Sequence, residues 1–506
     1  MEQDEKFPQL TRRAFLRAAM TGASAALLAA CGGTSTPEPA TNSGTGAAAA
    51  TSAPAAEAAT SAPAAAAATS APAAEAATSA PAAASGSNGK FVVLQRQEYF
   101  QAVETKFRQE VTDFAKSKGA DLDISTVNPE SFGDFTAKMQ AAVQAGNPPD
   151  LAYQTNVSPQ QLYFLDTLED VTDVVDELVK MYGEIVPPTA AMNAKIDGKW
   201  WAVPFFSQTG SWFARKDAFE AAGIDYNTLD TMDQRRDAAL KISDPAKEMW
   251  GWGMTVNKSG DGNGLIITAI QAFGGHVVDD SGKKVTFNSP ETVKAVQWLA
   301  EIYSSDKYKP MLPPGVGSWT DTSNNEAYLA GKVGMTVNQL SVYAKAKQDK
   351  NPVLEKTALM QFPVDPQGVR LGGGASGWFH IFKGAKNVDL AKEAILYLVK
   401  PENLIPLVQE GGGLVLPAYK NQWTDDVLKI DPNFPTLQKI IFESTKYTGF
   451  SYPAQPNPAT AAAEASGFQS EMMSNVISGK MTAEQAVKDA TDKIVRIFEE
   501  LGLPQS

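Results

Sequence analysis

The stretch Ala142-Val-Gln-Ala-Gly-Asn-Pro-Pro-Asp-Leu-Ala-Tyr-Gln154 contains the junction that decides the fold. The run from Phe132 to Val143 has the apolar spacing of a helix, and Gly146 followed by a proline pair is a typical helix end. Leu151-Ala-Tyr153 then predicts a buried strand that starts directly after the prolines. A helix that leads into a strand in this way is typical of an α/β sheet with parallel pairing.

The same alternation continues on both sides of this stretch. Three upstream segments are predicted as a strand, a helix and a strand: Phe91–Leu94, Ala102–Lys116 and Asp123–Val127. Downstream, Ser289 followed by Pro290 is a clear helix start, and the run from Val388 to Val399 is a further amphipathic helix. The chain from Lys90 to Ser506 is too long for one ordinary core, so two lobes are expected.

The charge and the residue counts exclude several classes of function. The chain has 506 residues and a net charge of −13, and no basic stripe suits nucleic acid or anionic lipid. Its two histidines, His276 and His380, lack the surroundings of a catalytic triad and are too few for a metal cluster. No Gly-Lys-Ser/Thr phosphate loop is present. We therefore expect no cofactor and no metal.

The first thirty residues have the parts of an export signal. Arg12 and Arg13 precede a short apolar run that resembles a twin-arginine signal, and this run is too short to span a bilayer. Leu28-Ala-Ala-Cys31 resembles the lipobox of bacterial lipoproteins, and Cys31 is the only cysteine of the chain. We expect a signal peptide over residues 1–30 and a lipid on Cys31, rather than a buried structural cysteine. The implied location is the cell envelope, on the outer face of the cytoplasmic membrane or in the periplasm.

A low-complexity segment follows the cysteine. From Ser52 a nine-residue unit repeats as SAPAAEAAT, SAPAAAAAT and SAPAAEAAT, followed by SAPAAA, without any large apolar side chain to bury. Stacked units of this kind would gain little, and the regular prolines interrupt an alanine helix. Residues 31–89 are therefore predicted to be a solvated linker between the lipid and the folded body.

Several segments, in order, resemble the extracellular solute-binding proteins of bacterial ABC transporters (family 1, sugar-binding type). Beside AVQAGNPPDLAYQ they are IDGKWWAVPFF, WFARKDAFEAAGID, GGHVVDDSGKKVTFNSPETVKAVQWLAEI, AYLAGKVGMTVN, NVDLAKEAILYLVKPE and ISGKMTAEQAVKDATDKI. The resemblance implies two α/β lobes of the periplasmic-binding-protein type, joined by crossing segments, with the ligand between them. The crossings are expected near residues 205–210, 362–372 and 411–417.

The resemblance also implies a division of the chain and a role. Lobe one would take residues 90–206 and 371–412, and lobe two residues 207–370, with a mainly lobe-two C-terminal part over 413–506. The expected role is to capture a small solute, most often a mono- or oligosaccharide, and to deliver it to the permease subunits of an ABC importer. Peptides, polyols and sugar phosphates remain open as ligands. The protein is expected to act as a monomer.

Polar residues after predicted strands are the candidates for binding, because ligands of α/β sheets lie at the carboxyl ends of the strands. Their amides and carboxylates suit sugar hydroxyls. The candidates are Glu98, Tyr99, Gln154, Asn156, Asp261, Asn263 and Asn338. Asp261 and Asn263 stand in Gly-Asp-Gly-Asn-Gly, which could equally begin a helix near Gly264 with Asn263 as its cap. A calcium loop over the same stretch lacks its last carboxylate, because Thr268 stands there.

Aromatic rings could stack on the apolar face of a sugar. The candidates are Tyr99, Phe206, Trp212, Trp319, Trp378 and Tyr452, with Asp321 beside Trp319. Packing in the core is the alternative for each ring, and Trp298 is assigned to the core because it lies on the apolar stripe of a helix. Two other classes of function remain open: an exported enzyme that uses two carboxylates on a polysaccharide, and a solute-sensing lipoprotein without a transporter.

Overall fold

A computed structural model of the protein describes residues 89–127, 132–155, 157–372 and 374–505. The predicted signal with Arg12 and Arg13, the predicted lipid site Cys31, the linker and Asn156 lie outside the described residues. The strands are β1 Phe91–Arg96, β2 Leu122–Val127, β3 Leu151–Gln154, β4 Lys195–Ile196, β5 Lys199–Trp200, β6 Val203–Arg215, β7 Trp250–Trp252, β8 Val333–Gln339, β9 Thr357–Met360, β10 Gly374–His380 and β11 Leu416–Pro417.

Helices fill most of the segments between these strands. They are α1 Gln101–Ser117, α2 Phe132–Gln144, α3 Pro159–Phe164, α4 Thr172–Tyr182, α5 Ala190–Ala194, α6 Lys216–Ala221, α7 Met232–Ile242, α8 Gly260–Ala272, α9 Pro290–Ser304, α10 Ser323–Leu329, α11 Ser341–Gln348, α12 Val388–Leu398, α13 Pro401–Glu410, α14 Asp425–Leu428, α15 Phe434–Glu443, α16 Pro458–Ala465, α17 Phe468–Ile477 and α18 Ala483–Glu500. Within the described ranges, no helix has both the length and the apolar character needed to cross a bilayer.

One long strand, β6, carries both halves of the sheet. Its first part pairs with β10 and β11, and through β10 it joins the parallel strands β3, β1 and β2. Thr209 is the last residue of β6 that pairs with β10, and from Gly210 onward β6 pairs with β8 and β9 instead. The α/β class and the two-lobed architecture predicted from the sequence are confirmed.

The core of the first lobe is built from aromatic rings on β1, β3, β6 and β10. The rings of Phe205 and Phe379 are 4.3 Å apart, and Phe107 of α1 packs on Tyr153 at 5.1 Å. In the second lobe α8, α9, α17 and α18 pack on one another. Trp298 is 8% exposed on α9, as predicted, and its indole nitrogen donates to Asp233.

The predicted start of α8 and the predicted end of β8 need correction. Helix α8 starts at Gly260 rather than near Gly264, and its cap is Ser259, whose Oγ accepts from Gly262 at 2.9 Å. The alternative in which Asn263 caps this helix is therefore wrong, because Asn263 already lies inside the first turn. Strand β8 continues to Gln339, so Asn338 belongs to the strand and not to the loop after it.

Candidate functional site

A cavity of about 400 Å³ lies beside the part of β6 where the strand passes from one half of the sheet to the other. Its walls come from β6, β8, the first turns of α8, the segment after β9 and the C-terminal helices. The lining residues are Gly210, Trp212, Gly260, Asp261, Asn263, Gly264, Leu265, Ile267, Thr268, Val337, Asn338, Gln339, Phe362, Tyr447, Gly449, Phe450, Glu464 and Gln469. Four predicted site residues thus meet here: Trp212, Asp261, Asn263 and Asn338.

Asp261 is the most constrained polar group of this wall. Its Oδ2 accepts hydrogen bonds from the side-chain amides of Asn324 at 2.8 Å and Asn338 at 3.1 Å. Burial raises the pKa of Asp261 to about 6; the bond from Asn324 works against this shift, and the nearby charge of Asp321 adds to it. Both partners of Asp261 are neutral, so its charge is held without being neutralised.

Asp321, the predicted neighbour of Trp319, supports the cavity from outside. It is exposed, and its two carboxylate oxygens accept from the backbone amides of Gly260 at 3.2 Å and Asp261 at 2.9 Å. These amides belong to the first turn of α8, where the backbone N–H groups have no hydrogen-bond partners inside the helix. A carboxylate in this place suits the positive end of the helix dipole. Asp321 therefore fixes the start of α8 and does not line the cavity.

The C-terminal segment contributes a second carboxylate to the lining of the cavity. Glu464 of α16 is open to solvent along the cavity, and the surrounding protein nevertheless raises its pKa by desolvation. The Tyr447 hydroxyl is hydrogen-bonded to Thr268, and burial followed by the Glu464 charge raises the pKa of Tyr447. No lining residue of the cavity is a lysine, an arginine or a histidine.

Three buried polar atoms of the lining residues have no partner in the described part of the chain. They are the Oε1 atom of Gln469, the Oδ1 atom of Asn263 and the Nε1 atom of Trp212. Gln469 is 1% exposed and Trp212 is fully buried, so bulk water does not replace the missing partners freely. Buried polar groups normally find a partner, and an unpaired one costs about 1–3 kcal/mol. A solute in the cavity can supply these partners.

Two aromatic residues of the cavity lining, Trp212 and Phe362, pack against other parts of the chain. The guanidinium of Arg235 lies 4.5 Å from the ring centre of Trp212 and donates to the carbonyl of Gln361 at 2.6 Å. The next residue, Phe362, lines the cavity, and a Cβ on Gly372 would lie 1.9 Å from its ring. Burial lowers the pKa of Arg235 to about 9, so it remains a cation at neutral pH. The segment after β9 is thus fixed between an arginine and a glycine.

The predicted site residues of the first lobe form a separate cluster. At the end of β1, Arg96 donates to Thr155 and lies 3.6 Å from the Glu98 carboxylate, which also accepts from the Tyr153 hydroxyl. Burial raises the pKa of Glu98, while Arg96 and Tyr153 oppose the shift. We call these four residues the first-lobe rim. Gln154 is buried beside it and Tyr99 is 53% exposed.

The remaining aromatic candidates lie elsewhere. Phe206 and Trp378 are 1% and 4% exposed in the first-lobe core, so the expectation that they present a face to a solute needs correction. A Cβ on Gly377 would lie 2.7 Å from the Phe206 ring, and the glycines here make room for the chain's own rings. Tyr452 is buried and donates to Asp365 at 2.8 Å. Trp319 packs against a large core cluster that includes Tyr328 and Leu340, and its carbonyl accepts from Asn257.

Most of the residues that the C-terminal segment contributes to the cavity could not be predicted from the sequence. The residues concerned come from the C-terminal segment: Tyr447, Gly449, Phe450, Glu464 and Gln469. They stand far from β6 and α8 in the sequence, and the alanine-rich text around Glu464 predicts only a helix. The single usable signal was Tyr447 with Gly449, an aromatic residue next to a turn.

The lining residues of the cavity offer few ligands of the kind that metal ions prefer. Within the described residues, no group of three or more histidine, cysteine, aspartate or glutamate side chains is arranged to hold a metal ion. Asp261 and Glu464 are the only carboxylates among the lining residues. The chemistry that the cavity offers is hydrogen bonding, ring contact and negative charge.

Comparison with known proteins defines the class of this chain. A profile of the bacterial extracellular solute-binding proteins matches residues 109–436, which is more than half of the sequence. The chain belongs to this family, and its role is to bind a solute. Proteins of this family act outside the cytoplasm, in the periplasm or at the cell envelope.

The individual relatives are distant. A probable ABC transporter-binding protein of Deinococcus radiodurans is 24% identical over 323 residues, covering 61% of this chain and 72% of that protein. The mannitol-binding protein of Pseudomonas aeruginosa is 22% identical over 441 residues, covering 82% and 87%. Maltose-bound MalE3 of T. maritima shares the fold with a TM-score of 0.62 and 20% identity, covering 80% of this chain and 98% of that one.

Proposed function

We propose that the protein captures a sugar or a polyol in the cavity beside β6 and delivers it to the membrane subunits of an ABC importer. The observation that carries this proposal is the set of unpartnered polar atoms of Gln469, Asn263 and Trp212 in the lining of a cavity that also offers aromatic rings. Hydroxyl groups can donate to the first two and accept from the third. The names of the relatives, which include mannitol and maltose, support the same class of solute.

The charge of the cavity disfavours anionic solutes. Both of its ionisable acids, Asp261 and Glu464, are negative when ionised, and no basic side chain lines it. Of the two basic residues at the candidate strand ends, Arg96 is already paired with Glu98, and Lys258 does not line the cavity. A sugar phosphate would therefore enter without a partner for its charge.

Capture is proposed to involve closure of the two lobes. Gly210 lines the cavity and stands where β6 changes its pairing partners, which makes this part of the strand the natural hinge. A solute that touches both lobes favours the closed form in proportion to those added contacts. Tyr99, Gln154 and Asn156 are the proposed contacts from the first lobe, and Asp261, Asn263, Asn338 and Trp212 those from the second.

Export and anchoring remain part of the proposal. Arg12 and Arg13 would direct the chain through a twin-arginine route, and Cys31 would carry the lipid that holds the protein at the membrane surface. The division into a signal over 1–30, a linker over 31–89 and the lobe limits given above is proposed on the same basis. The binding unit is proposed to be a monomer.

The test is a thermal-shift screen of the full chain against hexoses, disaccharides, hexitols, amino acids and glycerol phosphate. A ligand present at about 100 times its dissociation constant adds about 2.7 kcal/mol to the free energy of unfolding. We expect a shift with a sugar or a hexitol. Gln469→Leu should then weaken the affinity about tenfold, because it removes the unpartnered acceptor from the wall.

Gln422 provides a matched control. It is also a buried glutamine with an unpartnered Oε1, but it donates to Val399 away from the cavity. Gln422→Leu should lower the unfolding temperature and keep the affinity. The absence of a shift with every sugar and hexitol, or full affinity in Gln469→Leu, contradicts the proposal.

A further inference from the structure

Two carboxylates and two unpaired amide oxygens give the cavity several hydrogen-bond acceptors within the described residues. Asp261 and Glu464 contribute carboxylates, and Gln469 and Asn263 contribute side-chain oxygens that receive no bond within the described residues. Among the buried side-chain atoms of the same wall, Trp212 supplies the one unpaired donor within the described residues. A solute that satisfies these oxygens must therefore bring several donors.

The negative charge of the cavity is uncompensated. Asp261 accepts hydrogen bonds from two neutral amides. The charged side chain that shifts its pKa, Asp321, is also negative. In the described residues Glu464 forms no ion pair with a lysine or an arginine. A cation that enters the cavity would be attracted by both carboxylates.

Two aromatic residues, Tyr447 and Phe450, line the cavity together with the second carboxylate, Glu464. Tyr447 lies close enough to Glu464 for the charge of the acid to raise the pKa of the phenol, and Phe450 stands on the same wall. An ammonium group is attracted both to a carboxylate and to the face of a ring. A neutral hydroxyl gains much less from this combination.

We infer that the solute carries a protonated amine on a polyhydroxylated skeleton, as an amino sugar or an amino polyol does. The inference rests on the proposed function, because it names the chemical class of the solute for the same cavity. An ammonium brings three donors and no acceptor, whereas each hydroxyl brings one donor and two acceptor lone pairs. The ammonium can therefore donate to the unpaired oxygens of Gln469 and Asn263, and its charge is opposite to that of Asp261 and Glu464.

Matched triplets of ligands test this inference by calorimetry on the full chain at pH 7. Each triplet contains a hexose, its 2-amino-2-deoxy form and the N-acetylated amine, and each hexitol is paired with its 1-amino-1-deoxy form. We expect the amine to bind about tenfold more tightly than the parent compound, and N-acetylation to remove this advantage along with the charge.

Two variants locate the effect. Glu464→Gln should reduce the advantage of the amine to less than about threefold, because it removes one of the two charges without changing the shape of the wall. Glu500→Gln, an equivalent change on the exposed end of α18, should keep the full advantage. Asp261→Asn provides a second measurement and should act in the same direction as Glu464→Gln.

The possible results separate this inference from the function on which it rests. Equal or tighter binding of the neutral parents, or an amine advantage that survives in Glu464→Gln, overturns the inference and leaves the proposed function standing. Failure of every sugar, hexitol and amine to bind overturns both.

Discussion

The first-lobe rim and the cavity of the second lobe both lie at the ends of sheet strands, but their polar groups are satisfied in different ways. In the rim, Arg96, Glu98 and Tyr153 are partnered by one another. In the cavity, the side-chain oxygens of Gln469 and Asn263 have no partner in the described part of the chain. A position at a strand end therefore does not by itself make a residue available to a solute. What matters is whether the protein has already filled its hydrogen bonds.

The strongest way to disturb the comparison is to deform the segment that connects the two regions. Gly372→Ala would place a Cβ 1.9 Å from the Phe362 ring, which cannot be accommodated without moving a wall of the cavity. We expect a loss of more than about 3 kcal/mol in the free energy of unfolding, measured by urea denaturation, together with loss of solute binding.

Gly317→Ala is the control for this substitution. A Cβ at Gly317 meets no atom within 4 Å, so its stability should change by less than about 0.5 kcal/mol. Near-native stability of Gly372→Ala would mean that Phe362 is free to leave its place, and the cavity wall would then not be preformed.

The second prediction exchanges one carboxylate in each region. Glu98→Gln leaves the Arg96 guanidinium, 12% exposed in its side chain, without its charged partner, so we expect a loss of about 2.5 kcal/mol in stability. Its effect on affinity should stay below about threefold, because the carboxylate is occupied within the rim. Chemical denaturation and calorimetry on the same preparation measure both quantities.

Glu464→Gln should show the reverse pattern. The Glu464 side chain is open to the cavity and forms no ion pair within the described residues, so the stability of the variant should change by less than about 0.5 kcal/mol. Its affinity for an amine should fall by more than about threefold. Identical profiles for the Glu98 and Glu464 variants would remove the distinction between the two regions.

A pH series extends the comparison, because His380 in the first-lobe core and Asp261 in the cavity change the stability with opposite signs. His380 is fully buried in the first lobe, neither ring nitrogen has a partner in the described residues, and burial lowers its pKa to about 3. Between that value and the ordinary pKa of histidine, the unfolded chain binds the proton and the folded chain does not. Stability therefore falls on acidification, by about 2 kcal/mol from pH 7 to pH 5.

Asp261 works in the other direction over the same range. Its pKa is raised to about 6, so the folded chain binds the proton first, and acidification through pH 6 relieves the cost of a buried charge. His380→Leu should remove most of the acid destabilisation seen in urea denaturation at the two pH values. His276→Gln, at a half-buried ring, should keep most of it. An unchanged pH dependence in His380→Leu would mean that His380 is not the group responsible.

The sequence predicts the fold better than the site for a physical reason. Strand and helix periods are local, and Ser289, Leu151 and Gly146 mark their ends within a few residues. The cavity joins α8 to Glu464 and Gln469, which lie far away in the sequence, and no local pattern reports that meeting. A local sequence pattern also does not show which polar side chains become buried.

The glycine-rich text around Trp378 shows how a sound rule can mislead. Such a stretch is compatible with close approach of a ligand, because glycine lets a neighbouring group come near the backbone. The neighbours are instead rings of the same chain, Phe206 on Gly377 and Phe362 on Gly372. At α8 the sequence Gly-Asp-Gly-Asn-Gly predicted a loop, whereas Ser259 and Asp321 together supply acceptors for its first turn and allow the helix to begin earlier.

The smallest expected effect concerns Asp321, which links the start of α8 to the charge of the cavity. Asp321→Asn keeps an oxygen that can accept from one of the two amides but removes the negative charge at the helix start, so stability should fall by about 1 kcal/mol. The same change removes a like charge beside Asp261, so the pKa of Asp261 should fall from about 6 toward its ordinary value. Carbon-detected NMR titration of the Asp261 carboxyl measures the shift. An unchanged pKa of Asp261 in Asp321→Asn would mean that burial, and not the neighbouring charge of Asp321, raises this pKa.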